Sequence, residues 1–278
     1  MTLVLNLLTA NRVVQASDRR LTSTNGSVVD NEANKAICVI CADSVFSIGY
    51  TGLAKLGRIS TDIWIVDHLT QLNAGLLPLF GIVDSIQNEL KSTIDALQID
   101  NAYKALSIIM SGFFGDKAFM LQLSNCEDEN LSRLPDTDKD FHHAFITLNR
   151  NTTKKSAFAY SFHGWEPAID RTITKRLARL HRKRFFYKSD NISVANEAVS
   201  LIRAASRHPN AANKIGRSCM SVVIPPNPMT FETRYHPDKS SPQLYGPHLI
   251  TPDAAYKSIQ IWTGKDPPKW WTDMIKKP

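Results

Sequence analysis

Near the start of the chain the side chains able to do chemistry are Thr2 and the charged cluster Asp18-Arg19-Arg20, in "MTLVLNLLTANRVVQASDRRLT". A threonine hydroxyl is a poor nucleophile until a base takes its proton. Alternation and turn residues predict two short strands here, Thr2–Leu8 and Arg12–Ala16, joined at Ala10 and Asn11. Such a hairpin presents the amino terminus beside the charges that follow the second strand. Other constellations are weaker. Cys38-x-x-Cys41 matches a redox or zinc half-motif, but it lies in the strand-like run "KAICVICADSVF", where residues three apart point to opposite faces, and no second pair completes it. Asp136, Asp138 and Asp140 are spaced like the start of a calcium loop, yet Phe141 stands at the sharp-turn position and Thr147 where a closing glutamate belongs. "GRSCM" ends on Met220 and is no nucleophile elbow. Neither a metal nor another cofactor is expected.

The elements that must position these residues follow from periodicity. "KAICVI" and "SVFSIGYT" read as a second strand pair, followed after "TGLAKLG" by a helix to about Leu72. Ile82, Ile86, Leu90, Ile94 and Leu97 recur at intervals of three or four and predict a helix from Ile82 to about Leu97. Strands follow at "ALSIIMSGFF", "KAFMLQLS", "HAFITLN" and "SAFAYSFH". Two helices, from Pro167 to about Tyr187 and from Ser193 to Arg207, lead to a last strand, "SCMSVVI". Strands, two helices, strands, two helices, strand is the order of a layered α/β (α+β) sandwich with helices outside, not of a strictly alternating doubly wound sheet.

Thr2, the "ASDRRLT" after the second strand, Lys35 heading the next strand and Gly52 in "YTGLAKLG" together resemble the proteasome-type N-terminal nucleophile (Ntn) hydrolases. Within that superfamily the likeness is to the bacterial ancestral β-subunit group, Anbu. Translation starting at Met-Thr is similar, and "HGWEPAIDRTI" looks like that group's Gly-x-Pro-x-x-Asp-Arg segment. The resemblance covers roughly residues 2–224 and implies a four-layer αββα sandwich. It also implies a threonine-type peptidase or amidase acting through an acyl-enzyme on Thr2 after Met1 is removed. In this class the base is the threonine's own α-amine, whose reference pKa of about 7.7–8.0 lies near working pH. Lys35, by resemblance, disfavours protonation of that amine, and Asp18 pairs with and orients the lysine. Gly52 supplies an oxyanion-binding backbone N–H at a helix start. Ser17, Arg20 and Ser218 are the supporting residues. Departures from the pattern are His163 in the turn that usually reads Gly-Ser-Gly and Asn213 as the nearest polar substitute for a later aspartate; the site is then either rearranged or less active.

Size and charge bound the rest. A chain of 278 residues, 43% of them hydrophobic, buries one substantial core, here expected over 1–228, with 229–278 as a C-terminal extension packing on the core or on a neighbouring subunit. Ten of the fourteen prolines lie beyond Ile224, together with Trp262, Trp270 and Trp271. Those tryptophans need cover, and the family's habit of forming rings or helical stacks points to a homo-oligomer. No apolar run approaches the eighteen or so residues of a membrane span, and the first twenty residues lack a signal-peptide pattern, so the chain reads as cytoplasmic, away from membranes. The net charge of +7 concentrates in "RTITKRLARLHRKRFFYK", residues 171–188, with eight basic residues around Ile173, Leu177 and Leu180. An amphipathic helix with a basic outer face is the first reading, and no specific nucleic-acid binding is expected. The alternatives are a catalytically silent proteasome-like assembly protein and a nucleic-acid binder using this helix.

Overall fold

Leu3–Thr9 (β1) and Arg12–Asp18 (β2) form the expected hairpin, with Val4 opposite Ser17 and Thr9 opposite Arg12. The structure is a computed structural model and describes residues 2–22, 27–30, 33–149, 157–211, 213–226, 231–238, 243–256 and 260–262. Its remaining principal strands are β3 (Ile37–Ile40), β4 (Ser44–Gly52), β5 (Leu106–Phe114), β6 (Lys117–Ser124), β7 (His142–Asn149), β8 (Phe158–Gly164), β9 (Cys219–Ile224), β10 (Glu232–His236), β11 (His248–Ile250) and β12 (Ala255–Tyr256). Four helices cover them: α1 (Thr61–Gln71), α2 (Leu79–Asp95), α3 (Arg171–Arg182) and α4 (Asn191–Ser206).

The strands make two sheets. One runs β8-β1-β2-β9-β10, antiparallel throughout. The other runs β7-β6-β5-β4-β3-β11-β12, antiparallel except where β11 lies parallel to β3. Val13, Cys38, Ile109 and Met220 pack between the sheets. Ile65, Leu69, Ile86 and Leu90 seat α1 and α2 on the outer face of the second sheet, while Leu177, Ala198 and Ile202 seat α3 and α4 on the first. At about 1.5–3 kcal/mol for each fully buried aliphatic side chain, these three interfaces supply the main drive to fold. The result is a four-layer αββα sandwich, the form that the family resemblance implies and one that fits the layered order of elements with helices outside.

A polar seam fixes how the two sheets face each other. Gln15 Nε2 on β2 donates to Asn6 Oδ1 (3.0 Å) on β1 and to the Ile109 carbonyl (3.2 Å) on β5, and Ser111 Oγ donates to Asn6 Oδ1 (3.1 Å). A one-residue slip of β1 or β2 would turn these buried groups away from their partners, so the seam holds the register that delivers Thr2 and Asp18 to one end of the sandwich.

Some details differ from the pattern reading. A small ribbon, Lys55–Leu56 against Ile59–Ser60, separates β4 from α1. The long basic helix stops at Arg182, Arg184 takes a left-handed conformation (φ 57°), and a separate turn of helix spans Phe185–Lys188. Cys38 faces the inter-sheet core and Cys41 the helix-side core, as strand alternation requires. Beyond Pro228 the chain contributes β10 to the first sheet and β11 and β12 to the second. Trp270 and Trp271 lie outside the described residues, as does the side chain of Trp262.

Candidate active site

Asp18 ends β2 with its side chain fully buried, and the chain around it converges on its carboxylate. The backbone N–H of Leu3 donates to Oδ1 (2.8 Å), while those of Arg20 (3.1 Å) and Gly216 (2.8 Å) donate to Oδ2. Three backbone N–H groups aimed at one carboxylate satisfy its buried oxygens without solvent. Arg19 turns inward, its Nε donating to the Ala33 carbonyl (3.0 Å) and its guanidinium lying 4.9 Å from the centre of the Tyr235 ring. Ala33 N donates back to the Arg19 carbonyl (3.0 Å), so the β2 exit and the approach to β3 are clasped together.

That clasp brings Lys35 to the site. Its side chain is fully buried, its Nζ lies 3.6 Å from Asp18 Oδ1, and Nζ donates to both Thr2 Oγ1 and the Arg20 carbonyl. Burial pushes the Lys35 ammonium below its ordinary pKa, Asp18 opposes that shift, and the nearby Arg19 charge reinforces it. Thr2 is 2% exposed, and its hydroxyl is 3.2 Å from the Arg20 carbonyl. Its own carbonyl accepts from the Trp165 N–H (3.0 Å) and lies 3.5 Å from Thr51 Oγ1. A hydroxyl held against a depressed-pKa lysine, itself oriented by a carboxylate, is an arrangement that can activate an oxygen nucleophile.

Two glycine conformations shape a cavity beside the Thr2 carbonyl. Gly164 has φ +109°, and a Cβ there would stand 1.9 Å from the Thr2 carbonyl oxygen. Gly52 has φ +103°, and its Cβ would meet the Ala105 carbonyl oxygen at 2.1 Å. Gly52 does not stand at a helix start as expected: it ends β4, and α1 begins only at Thr61, beyond the ribbon. Gly52 sits opposite Leu106 and next to the pair in which the Leu53 N–H donates to the Ala105 carbonyl (2.9 Å), so the antiparallel alternation puts Gly52 and Leu106 in a non-bonded pair. Gly52, Thr51, Gly164 and Trp165 line one cavity of about 90 Å³.

The structure thus brings Thr2, Asp18 and Lys35 into contact and sets Gly52 on an adjoining wall. Arg20 takes part through its backbone, while its Nη1 donates to the Asn213 carbonyl (2.7 Å). Ser17 occupies the β2 ladder opposite Val4 and Met220. Ser218 lies behind Asp18, its carbonyl accepting from the Arg19 N–H (2.9 Å) and its hydroxyl from the Asp238 N–H (3.3 Å). Asn213, in a left-handed conformation (φ 62°), offers the site its backbone. His163 is 2% exposed with Nε2 2.8 Å from Ser161 Oγ. Sequence reasoning missed Gly216, Thr51 and the Trp165 amide, which reach the site from strand ends distant in the chain; only the "HGW" segment carried a signal for one of them. No group of three or more metal-ligating side chains occurs among the described residues, nor does any helix there have the length and apolarity to cross a membrane.

No protein-family model matches the sequence, and no curated protein matches it. Solved structures do match the fold. An Anbu (Gly-1) mutant from Hyphomicrobium sp. strain MC1 superposes with a TM-score of 0.53 at 11% identity, covering 87% of this chain and 89% of that one. Anbu (ancestral β-subunit) from Yersinia bercovieri superposes with a TM-score of 0.50 at 12% identity, covering 83% of this chain and 86% of that one. The chain therefore has the fold of the Anbu proteins, the ancestral β-subunit form of the proteasome-like αββα sandwich.

Proposed function

We propose that this chain is a threonine N-terminal nucleophile amidohydrolase that cuts a peptide or amide bond through an acyl-enzyme on Thr2. The observation that carries the reading is the fully buried contact of Lys35 Nζ with Thr2 Oγ1 and with Asp18. Removal of Met1 frees the Thr2 amine, which takes the hydroxyl proton as Oγ1 attacks the scissile carbonyl carbon. The C–N bond then breaks, the departing amine takes the proton, and the acyl group is left as an ester on Oγ1. Water cleaves that ester and restores the hydroxyl. Positive charge on Lys35 disfavours protonation of the amine, leaving it as the free base that accepts the proton, and stabilises the developing alkoxide. Assembly into a homo-oligomer belongs to the same reading and is supported by the likeness of fold to the Anbu proteins.

The test is the intact mass of the purified protein with and without an N-terminal-threonine-directed covalent inhibitor. Loss of Met1 and a single adduct, absent from Thr2→Ala, is expected. The second reading is a catalytically silent assembly protein. What favours it is that His163, held on Ser161 Oγ, occupies the turn that reads Gly-Ser-Gly in the family and that the Ser218 hydroxyl accepts from the Asp238 N–H. Retained Met1, or no adduct where a control hydrolase is labelled, would establish that reading instead.

A further inference from the structure

Ser124 closes β6, and its Oγ accepts from the N–H groups of both Cys126 (3.1 Å) and Glu127 (3.0 Å). This tight turn folds Glu127 back towards the end of β8. Its residue exposure is only 8%, yet it carries a carboxylate. Gln122 Nε2 donates to Oε2, and His163 Nδ1 faces the same oxygen at 3.7 Å, with the ring anchored through Nε2 on Ser161 Oγ. Oε1 has no hydrogen-bond partner among the described residues and is not sealed from solvent. Glu127 forms a wall of the cavity of about 90 Å³ that also touches Gly52 and two residues packed on the Thr2 carbonyl, Gly164 and Trp165. Arg133 also borders it; the residue is exposed and pairs with Glu127 through a backbone bridge.

A largely buried carboxylate on a cavity wall, with one oxygen left without a protein partner, is a receptor for a cation or for N–H donors. We propose that Glu127 binds a positively charged group of the substrate, an ammonium or guanidinium carried close to the scissile amide. The inference rests on the hydrolase reading above and names the substrate class of that site. The cavity is smaller than the roughly 150 Å³ that holds benzene in an engineered apolar core, so a compact cation fits it better than an aromatic one. His163 and Gln122 hold the inner oxygen and leave the outer one to the ligand. Arg133, being solvent-exposed, is screened and repels such a group only weakly.

The first experiment needs no catalysis. Methylguanidinium is titrated into the wild-type protein, Thr2→Ala, Glu127→Gln and Arg133→Ala, following the indole N–H resonance of Trp165 on the cavity wall, with urea as the neutral analogue of the same shape. Saturable binding to wild type and Thr2→Ala is expected, at least tenfold weaker in Glu127→Gln, equal or tighter in Arg133→Ala, and absent with urea. Equal response to urea, unchanged affinity in a folded Glu127→Gln, or no saturable shift would overturn the proposal; if Glu127→Gln does not fold, the urea comparison on wild type decides. The second experiment compares acylation of Thr2 by peptide electrophiles bearing arginine or citrulline beside the reactive carbonyl. A tenfold or greater preference for arginine, lost in Glu127→Gln, is expected. Acylation without preference refutes the cation site alone. No acylation by either probe refutes the hydrolase reading, and the titration still decides whether Glu127 binds a cation.

Discussion

Replacing Lys35 by methionine should separate catalysis from folding. The ammonium is fully buried, so water no longer solvates it, and methionine fills a similar unbranched volume without that cost. Removing one member of a buried ion pair ordinarily costs about 3–5 kcal/mol because the other charge is left uncompensated. Asp18 is not left so: it keeps three backbone N–H donors, from Leu3, Arg20 and Gly216, and the Arg19 guanidinium lies near enough to influence the same charges. Lys35→Met is therefore expected to stay within about 2 kcal/mol of wild type, while loss of the cation beside Thr2 Oγ1 slows acylation by about 10²–10³-fold. Asp18→Ala should behave in the opposite way. It orphans the same three buried N–H groups, and at about 1–3 kcal/mol each the loss approaches the whole stability of a typical domain. Urea unfolding of both variants beside the acylation rate measures the contrast. Equal destabilisation of the two, or acylation of Lys35→Met within a few-fold of wild type, would refute the reasoning.

Gly164→Ala sets a Cβ where the Thr2 carbonyl oxygen lies and imposes φ +109° on a residue with a side chain. It should abolish labelling of Thr2 while the far-ultraviolet dichroism persists, and normal labelling would contradict the close approach. Burial lowers the His236 pKa to about 4, with Arg203 and Arg234 acting in the same direction. Because an unfolded histidine titrates near 6.5, stability is full above about pH 6.5 and falls as the pH drops towards 4. Discounted for partial exposure, the loss is about 2 kcal/mol, read by urea unfolding at pH 7 and 4.5 and flattened in His236→Asn. The exposed Arg179, Arg182 and Arg184 should give only weak, salt-sensitive contact with nucleic acid, so tight duplex or single-strand binding lost on their replacement would overturn the reading of α3 and the turn after it as a solvated face. Deleting 229–278 removes β10 and β11 from the two sheets and should lower the melting temperature sharply; a truncated protein that melts like the full chain would show that these strands add nothing to the core.

What the sequence made legible was whatever depends on neighbours along the chain. The β1–β2 hairpin, the period of α2 and the pattern of β6 follow from residues two to four positions apart, and their observed limits lie within a few residues of expectation. Asp18 was visible for the same reason, as the charge that ends a strand beside the amino terminus. Lys35 was not, because nothing local distinguishes it from a surface lysine, and only the family resemblance pointed to it. Gly216 lies 198 positions from the carboxylate it holds, and no local period carries that information. Gly52 failed in a different way: the glycine was recognised, but the Lys55–Ser60 ribbon removed the helix start on which its role had been argued. The same division explains Glu127. Its sequence neighbours Asp128 and Glu129 make it look like one acid in a polar loop, whereas the Ser124 turn and the end of β8 make it a nearly dry carboxylate on the cavity that Gly164 and Trp165 also line. The chemistry of this site thus lies mostly at strand ends whose meeting is decided by sheet order, which is why the hairpin could be read from the sequence and its surroundings needed the fold.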